Sequence, residues 1–274
     1  MLRICRSGRR RLFAAALLWP VPAGAHDFWI EPSIFHPLPG MTISVALRVG
    51  QDFIGDPVPY MSNAINVFFV RQDGEDETLS GSDGLAPASS LRASGTATAI
   101  VAYSSTGSVV ELPPERFEAY LKQYGLDEII SERASRGEAT KPARECFYRY
   151  AKALLTGTEP SPSVTQPLPF KYEIVPDADP TAGFGVFRAH IIYQGEPLAN
   201  ALVEALYKKD PSVRLSVRSD AQGAFALTLP LAGVWLVKSV HMVRAGFFSA
   251  GFFPNCDWQS SWASLTFEMS PKGP

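Results

Sequence analysis

The sequence predicts a mainly β protein with two immunoglobulin-like or transthyretin-like β-sandwich modules joined by a helical segment. Short stretches that alternate apolar and polar residues recur along most of the chain. Clusters of Gly, Pro and Asp separate them at intervals of about eight to twelve residues, which is typical of β-sandwiches. One stretch near the middle instead places its apolar residues at helical spacing.

Residues 1–25 are predicted to be a signal peptide. Five arginines come first, an apolar run over 12–19 follows, and Ala23-Gly24-Ala25 has the small residues of a cleavage site. The apolar run is shorter than the roughly 20 residues that cross a bilayer. We therefore expect export to the periplasm, cleavage before His26, and no insertion of the mature chain into the membrane.

The composition narrows the choice of partners. The 274 residues carry a net charge of −2, and removal of the five leader arginines makes it −7. An acidic surface argues against a nucleic-acid partner. The mature chain keeps Cys146 and Cys256, and in an oxidising compartment both a disulfide and two buried thiols are compatible with that pair.

The N-terminal β module is predicted over residues 26–110. A short apolar segment ending at Pro32 is expected to be an edge strand that fixes the start of the mature chain, and 50–59 is expected to be a loop. The strands predicted from alternation and β-branched content are 28–31, 41–49, 66–71 and 96–104.

The helical segment is predicted over residues 111–158. Pro113-Pro114 opens it, and Gly125 is expected to divide its first part into two helices. Residues 133–141 are charged and predict a loop or a weakly held helix. A further helix is predicted over 144–156, where one face would carry Cys146, Phe147, Tyr150, Ala151 and Leu154.

Residues 159–169 are rich in Pro, Ser and Thr and predict a linker. The C-terminal immunoglobulin-like module is predicted over 170–274. Its strands are expected at 171–176, 184–193, 201–208, 213–219, 224–229, 234–243 and 262–269.

His26 is the first candidate for function. An N-terminal histidine offers an α-amine and an imidazole nitrogen from one residue, which is a chelating pair for a transition metal. A solvated terminal histidine without function is the alternative. Asp27 follows directly and could add a ligand or orient one.

His241 is the second candidate. By strand alternation it points the same way as Trp235, Val237 and Ser239. It is either a metal ligand brought to His26 by folding or an interior histidine bonded to a backbone carbonyl. Asp257 could orient a liganding imidazole, or it could belong to an ordinary turn.

Signatures of catalysis are absent from the sequence. It has no nucleophile elbow, no phosphate-binding loop, no dinucleotide fingerprint and no zinc-protease motif. We therefore predict no enzymatic activity from motifs.

Several motifs together resemble a family of bacterial exported proteins that carry a domain of unknown function, described as the periplasmic component of cobalt or nickel transport systems. The resemblance covers nearly the whole mature chain. It rests on 26–32 (His-Asp-Phe-Trp-Ile-Glu-Pro), Val49-Gly50 with Val58-Pro59, Glu111-Leu112-Pro113, 151–154, Val240-His241-Met242 and 257–268. It implies that His26 and His241 are the family's histidines, whereas His36 and His190 match no motif.

The resemblance implies a periplasmic protein that binds nickel or cobalt and feeds a membrane transporter. Copper is also compatible, because the Irving–Williams order favours Cu(II) at nitrogen ligands. The predicted metal ligands are His26 and His241, with Asp27 or Asp257 as further ligands or orienting groups. The alternatives are an oxidative copper enzyme with a histidine brace and an exported interaction module that binds no metal.

Overall fold

The computed structural model describes residues 26–183, 185–246 and 256–271. The predicted signal peptide and the first residue of the predicted strand 184–193 lie outside the described residues. The mainly β fold is confirmed: the described parts of the chain contain 17 strands and two α-helices.

The first half of the chain forms nine strands. The predicted strands 28–31, 41–49, 66–71 and 96–104 correspond to β1, β2, β4 and β7. In chain order the strands are β1 (Asp27–Pro32), β2 (Thr42–Gln51), β3 (Ile54–Val58), β4 (Ile65–Gln72), β5 (Glu75–Thr78), β6 (Ser89–Arg92), β7 (Ala99–Ser105), β8 (Ser108–Leu112) and β9 (Ala143–Leu155).

Two helices lie between β8 and β9. Helix α1 (Pro114–Gln123) begins at a proline in its first turn, where a missing N–H costs nothing. Gly125 separates it from α2 (Asp127–Ser135) with φ at +63°, a conformation that suits glycine. The division of this part into two helices at Gly125 is confirmed.

The second half is almost entirely β. Its strands are β10 (Tyr172–Pro176), β11 (Val186–Tyr193), β12 (Glu196–Pro197), β13 (Leu202–Tyr207), β14 (Asp210–Arg218), β15 (Ala224–Thr228), β16 (Gly233–Arg244) and β17 (Trp258–Met269).

The strands form three sheets. A nine-stranded central sheet has the order β14-β13-β16-β17-β9-β7-β4-β5, and β8 also pairs with β9. The N-terminal sheet joins β1, β3 and β6 to β2, and the C-terminal sheet joins β10, β12 and β15 to β11. Every pairing between these strands is antiparallel except that of β17 with β9, which is parallel and joins the two halves of the chain.

The central sheet is covered on both faces. Its C-terminal-sheet face holds the largest apolar cluster, which contains Tyr172, Phe187 and Trp235. The N-terminal sheet covers part of the opposite face, where Ile30 of β1 and Val101 of β7 belong to one buried apolar cluster. The helices cover another part of that face. The two sandwich halves therefore share the central sheet.

The predicted helix over 144–156 is wrong, because this segment is strand β9. The strand lies between β17 and β7, with both neighbours hydrogen-bonded to it. A strand buried on both faces carries apolar side chains in both directions, so its sequence shows no clean alternation. The helical part of 111–158 therefore ends at Ser135.

The predicted linker 159–169 packs against the core. It forms a 3₁₀ turn at Pro162–Thr165, and Val164 and Leu168 are buried in the apolar cluster under the C-terminal sheet.

A disulfide joins Cys146 to Cys256, with the two Cα atoms 5.8 Å apart. Of the two alternatives for these cysteines, the structure therefore has the disulfide and not two buried thiols. Neither helix of the described residues is long and apolar enough to cross a membrane.

Candidate functional site at the start of strand β1

The side chains of β1 point alternately to two sides of the strand, as in any extended chain. Phe28 packs against Tyr103 of β7, with ring centroids 5.0 Å apart. Asp27 points the other way and contacts Lys238 of β16. Alternation therefore puts His26, the residue before the strand, on the side of Phe28.

The backbone of β1 is also attached to the central sheet. The hydroxyl of Thr266 in β17 donates a hydrogen bond of 2.6 Å to the carbonyl of Ile30. On its other edge β1 pairs with β2 from Asp27 to Pro32. The strand that follows His26 is thus held by a sheet, a hydroxyl and an apolar core.

Asp27 is the centre of a buried charge network. Lys238 Nζ lies 2.8 Å from both carboxylate oxygens, and the hydroxyl of Tyr124 donates a further hydrogen bond of 3.1 Å. Asp27 and Lys238 are only 3% and 4% exposed. Burial raises the pKa of Asp27, and the contact with Lys238 opposes that rise.

The network continues outward through acids and bases in turn. Glu204 Oε2 lies 3.1 Å from Lys238 Nζ, and Glu204 Oε1 is 3.3 Å from Arg214, which also pairs with Asp52 at the surface. Because its oxygens already contact an ammonium and a hydroxyl, Asp27 serves to anchor the strand and is poorly placed to ligate a cation.

His241 lies on the opposite face of the central sheet from Asp27. Its ring packs against Tyr193 and Tyr172, with centroid distances of 4.4 and 5.9 Å. Lys238, three positions earlier in β16, points to the other face, where it contacts Asp27. The structure therefore does not bring Asp27 and His241 together, although both were predicted to belong to one metal site.

The environment of His241 makes it neutral near pH 7. Burial, with a smaller contribution from the charge of Lys171, lowers its pKa to about 4. His241 also lines a cavity of about 110 Å³, together with Asn200 and Met242. A neutral imidazole can accept a hydrogen bond or a metal, but here it would do so away from β1.

Asp257 has a local structural role at the start of β17. Its carboxylate accepts a hydrogen bond of 2.8 Å from the backbone N–H of Arg144, and its own N–H donates to the carbonyl of the same residue. These bonds align β17 with β9 beside the disulfide of Cys256. The two remaining histidines contact surface acids: His36 Nε2 lies 3.4 Å from Glu268, and His190 Nδ1 lies 2.8 Å from Asp177.

The described ranges 26–183, 185–246 and 256–271 contain no group of three or more His, Cys, Asp or Glu side chains arranged to hold a metal ion. The nitrogen donors of His26 are therefore the remaining predicted ligands near β1.

Sequence reasoning missed a second buried acid under helix α1. Glu145 is fully buried, and its Oε1 accepts hydrogen bonds from Tyr120, at 3.0 Å, and from Ser260. Burial raises its pKa to about 7. Lys238 was missed as well, although a single lysine inside the apolar run of β16 is itself a signal of a buried ion pair.

Comparisons with known proteins place the chain in a family. No curated protein matches it. Among solved structures it is similar to the D0–D1 domain of intimin, at 11% identity over 89% of this chain and 98% of that one, with a TM-score of 0.20. It is also similar to a tetra-tandem repeat in the extending region of a large adhesion protein, at 12% identity over 88% of this chain and 49% of that one, with a TM-score of 0.19.

Both TM-scores are too low to support an argument about this chain. The sequence model of the domain of unknown function DUF4198 matches residues 23–243, which is most of the chain. The match spans β1, both helices and most of β16, the elements that build the site described above. The protein therefore belongs to the DUF4198 family, whose shared domain has no assigned function.

Proposed function

We propose that the protein is exported to the periplasm, binds a divalent transition metal at its mature N-terminus and delivers it to a membrane transporter. Nickel and cobalt are the proposed metals, with copper as the alternative. The observation that supports this most is the anchoring of β1. Asp27, the residue next to the proposed chelating residue, is held by a buried ion pair to Lys238.

Anchoring matters because a metal site needs donors in fixed positions. After cleavage at the predicted site, His26 would carry a free α-amine beside its imidazole. Nitrogen donors of both kinds suit Ni(II), Co(II) and Cu(II). A terminal residue on a mobile tail would have to be ordered on binding, whereas His26 directly precedes a strand that is already fixed.

The structure changes the roles that the sequence suggested for the other candidates. We propose that Asp27 positions His26 and that Asp257 aligns two strands, so neither is a ligand. His241 is also left out, because it lies on the opposite face of the sheet from Asp27. Two nitrogens from one residue leave coordination positions open, which suits a protein that must release its metal to a transporter.

The alternatives receive less support. A histidine brace needs a second imidazole next to the terminal one, and the candidate from the sequence, His241, is directed into the aromatic environment of Tyr172 and Tyr193. An exported interaction module without metal remains the competing function, and it predicts that no metal binds with defined stoichiometry.

The test is calorimetric titration of protein that starts at His26 with Ni(II), Co(II) and Cu(II). A matched protein retains Ala25, which converts the amine of His26 to an amide. We expect one-to-one binding that weakens at least 100-fold in the extended protein and in His26→Ala. His241→Ala and Asp257→Asn should bind like the parent.

A variant without the surface histidines His36 and His190 removes adventitious sites and should behave like the parent. Absence of binding, or equal binding by the extended protein, would overturn the proposal and favour the interaction module. Loss of binding in His241→Ala alone would restore the ligand pair that the sequence suggested.

A further inference from the structure

The guanidinium of Arg149 in β9 lies between two aromatic rings. Its Cζ atom is 4.9 Å from the ring centroid of Phe147 and 5.0 Å from that of Phe28. Arginine stacks in this way on aromatic faces, which holds its plane fixed and leaves its N–H groups at the edge.

This cation has no partner of opposite charge in the part of the chain that the structure describes. The guanidinium of Arg149 takes part in neither a hydrogen bond nor an ion pair there, although its backbone N–H donates to Ser105. Burial lowers its pKa, and the acidic groups that act on it electrostatically are Tyr103 and Glu145.

Neither of those two groups pairs with Arg149 directly. Burial raises the pKa of Tyr103 to about 12, so the phenol is uncharged. The Glu145 carboxyl bonds to Tyr120 and Ser260 under helix α1, and burial raises its pKa to about 7. The guanidinium is half-buried with a fixed plane, and no described residue accepts from its N–H donors. Such a group is suited to a planar oxyanion, above all a carboxylate.

Arg149 also lies close to the proposed metal site. It contacts Phe28, which is two residues after His26 and on the same side of the extended chain. Two residues of a strand span about 7 Å. A bare divalent cation at His26 would therefore be repelled by the charge of Arg149, and a bound carboxylate would offset that repulsion.

We propose that the protein takes up its metal as a complex with a small carboxylate, which pairs with Arg149 while the amine and imidazole of His26 bind the metal. This inference rests on the proposed function. The carboxylate occupies coordination positions that His26 leaves open, so the ligand is a metal chelate with negative charge and not a free ion.

The experiment is equilibrium dialysis of the processed protein against Ni(II) alone, citrate alone, and a one-to-one mixture of Ni(II) and citrate. Citrate stands for small carboxylates, and nickel and citrate are both measured in the protein compartment. We expect both to be retained together in equal amounts from the mixture, with affinity for nickel at least tenfold higher than for Ni(II) alone.

Arg149→Gln should retain nickel without citrate and lose the tenfold gain. Arg149→Lys keeps the positive charge but lacks the planar guanidinium, so it should lose most of the gain in nickel affinity. It is a second test of the same contact in case the glutamine variant does not fold. Arg188→Gln, an exposed arginine on β11, is the matched control and should co-retain nickel and citrate.

The carboxylate inference and the proposed metal function fail with different results in this experiment. Nickel retained equally with and without citrate, or a gain that persists in Arg149→Gln, overturns the carboxylate inference and leaves the proposed metal function standing. No retention of nickel from any solution overturns both.

Discussion

Lys238 Nζ lies 2.8 Å from each carboxylate oxygen of Asp27, although the two residues are 211 positions apart. The pair connects β1, the first described strand, to β16 in the C-terminal half, and both side chains are buried. A buried ion pair of this kind is costly to break, because removal of one partner leaves the other charge without compensation.

Substitution of Lys238 by methionine should therefore destabilise the protein by about 3–5 kcal/mol. The double variant Asp27→Asn with Lys238→Met should recover much of that loss, since the Asp27 charge is removed together with its partner and Glu204 keeps its contact with Arg214. Urea unfolding of the parent and of both variants measures this. Lys122→Met breaks an exposed pair with Glu118 on α1 and should hardly change the unfolding midpoint. If Lys238→Met shifts the unfolding midpoint as little as Lys122→Met does, that result contradicts the buried network.

Glu145 should make the protein less stable as pH rises. Its folded-state pKa is about 7 and the ordinary value is 4.5, so between these values the folded state holds a proton that the unfolded state has released. Stability from this group is complete below pH 4.5 and is lost as pH rises through about 7. Each pKa unit that separates the folded from the unfolded state corresponds to roughly 1.4 kcal/mol of unfolding free energy. Denaturant unfolding at a series of pH values from 4 to 8 should show this slope removed in Glu145→Gln. Glu128→Gln on the exposed side of α2 should retain it.

His241 should act in the opposite direction. Its folded-state pKa of about 4 lies below the ordinary 6.5, so the unfolded state binds the proton first as the solution is acidified. Its contribution to stability is present above pH 6.5 and is lost as pH falls through about 4. The variant His241→Leu should therefore resist acid better than the parent in melts between pH 6.5 and 4. If the parent and His241→Leu lose stability in parallel over that range, the aromatic burial of this ring is wrong.

The disulfide between Cys146 and Cys256 should contribute substantially to stability. It closes a loop with a sequence separation of 110 residues, and removal of a native disulfide typically costs about 2–5 kcal/mol. Thermal unfolding with and without a thiol reductant should show a lower midpoint on reduction. The double variant Cys146→Ala with Cys256→Ala should melt like the reduced parent and should not respond to reductant. An unchanged midpoint in the reduced parent would contradict the prediction.

Much of the fold could be predicted from local pattern. Alternation located β2, β4, β7 and most strands of the second half, and the prolines and Gly125 located both helices. Strand β3 was predicted as loop because it contains Pro57 among polar residues; it is a short strand at the edge of the N-terminal sheet, where a missing N–H is tolerated.

The segment from Ala143 to Leu155 was beyond local pattern. A short apolar run buried on both faces cannot be distinguished from a buried helix by periodicity. Its pairing with β7 and with β17, which comes more than a hundred residues later, makes it a strand.

The candidate site was partly predictable. The sequence placed His26 and Asp27 at the start of a fixed strand, and the direction of His241 relative to Trp235 is as alternation predicts. Which face of the sheet β1 would cover depends on long-range packing. The sequence therefore could not show that Lys238, and not His241, faces Asp27.

The position of β17 has a consequence for how the chain acquires its structure. This strand is the last that the structure describes, yet it lies in the interior of the central sheet between β16 and β9. Until residues 258–269 have emerged from the ribosome, or from any channel the chain crosses, the two halves of that sheet have no common edge to join. The central sheet is then completed late, and a chain that ends before Trp258 would leave two long strand edges open to other chains.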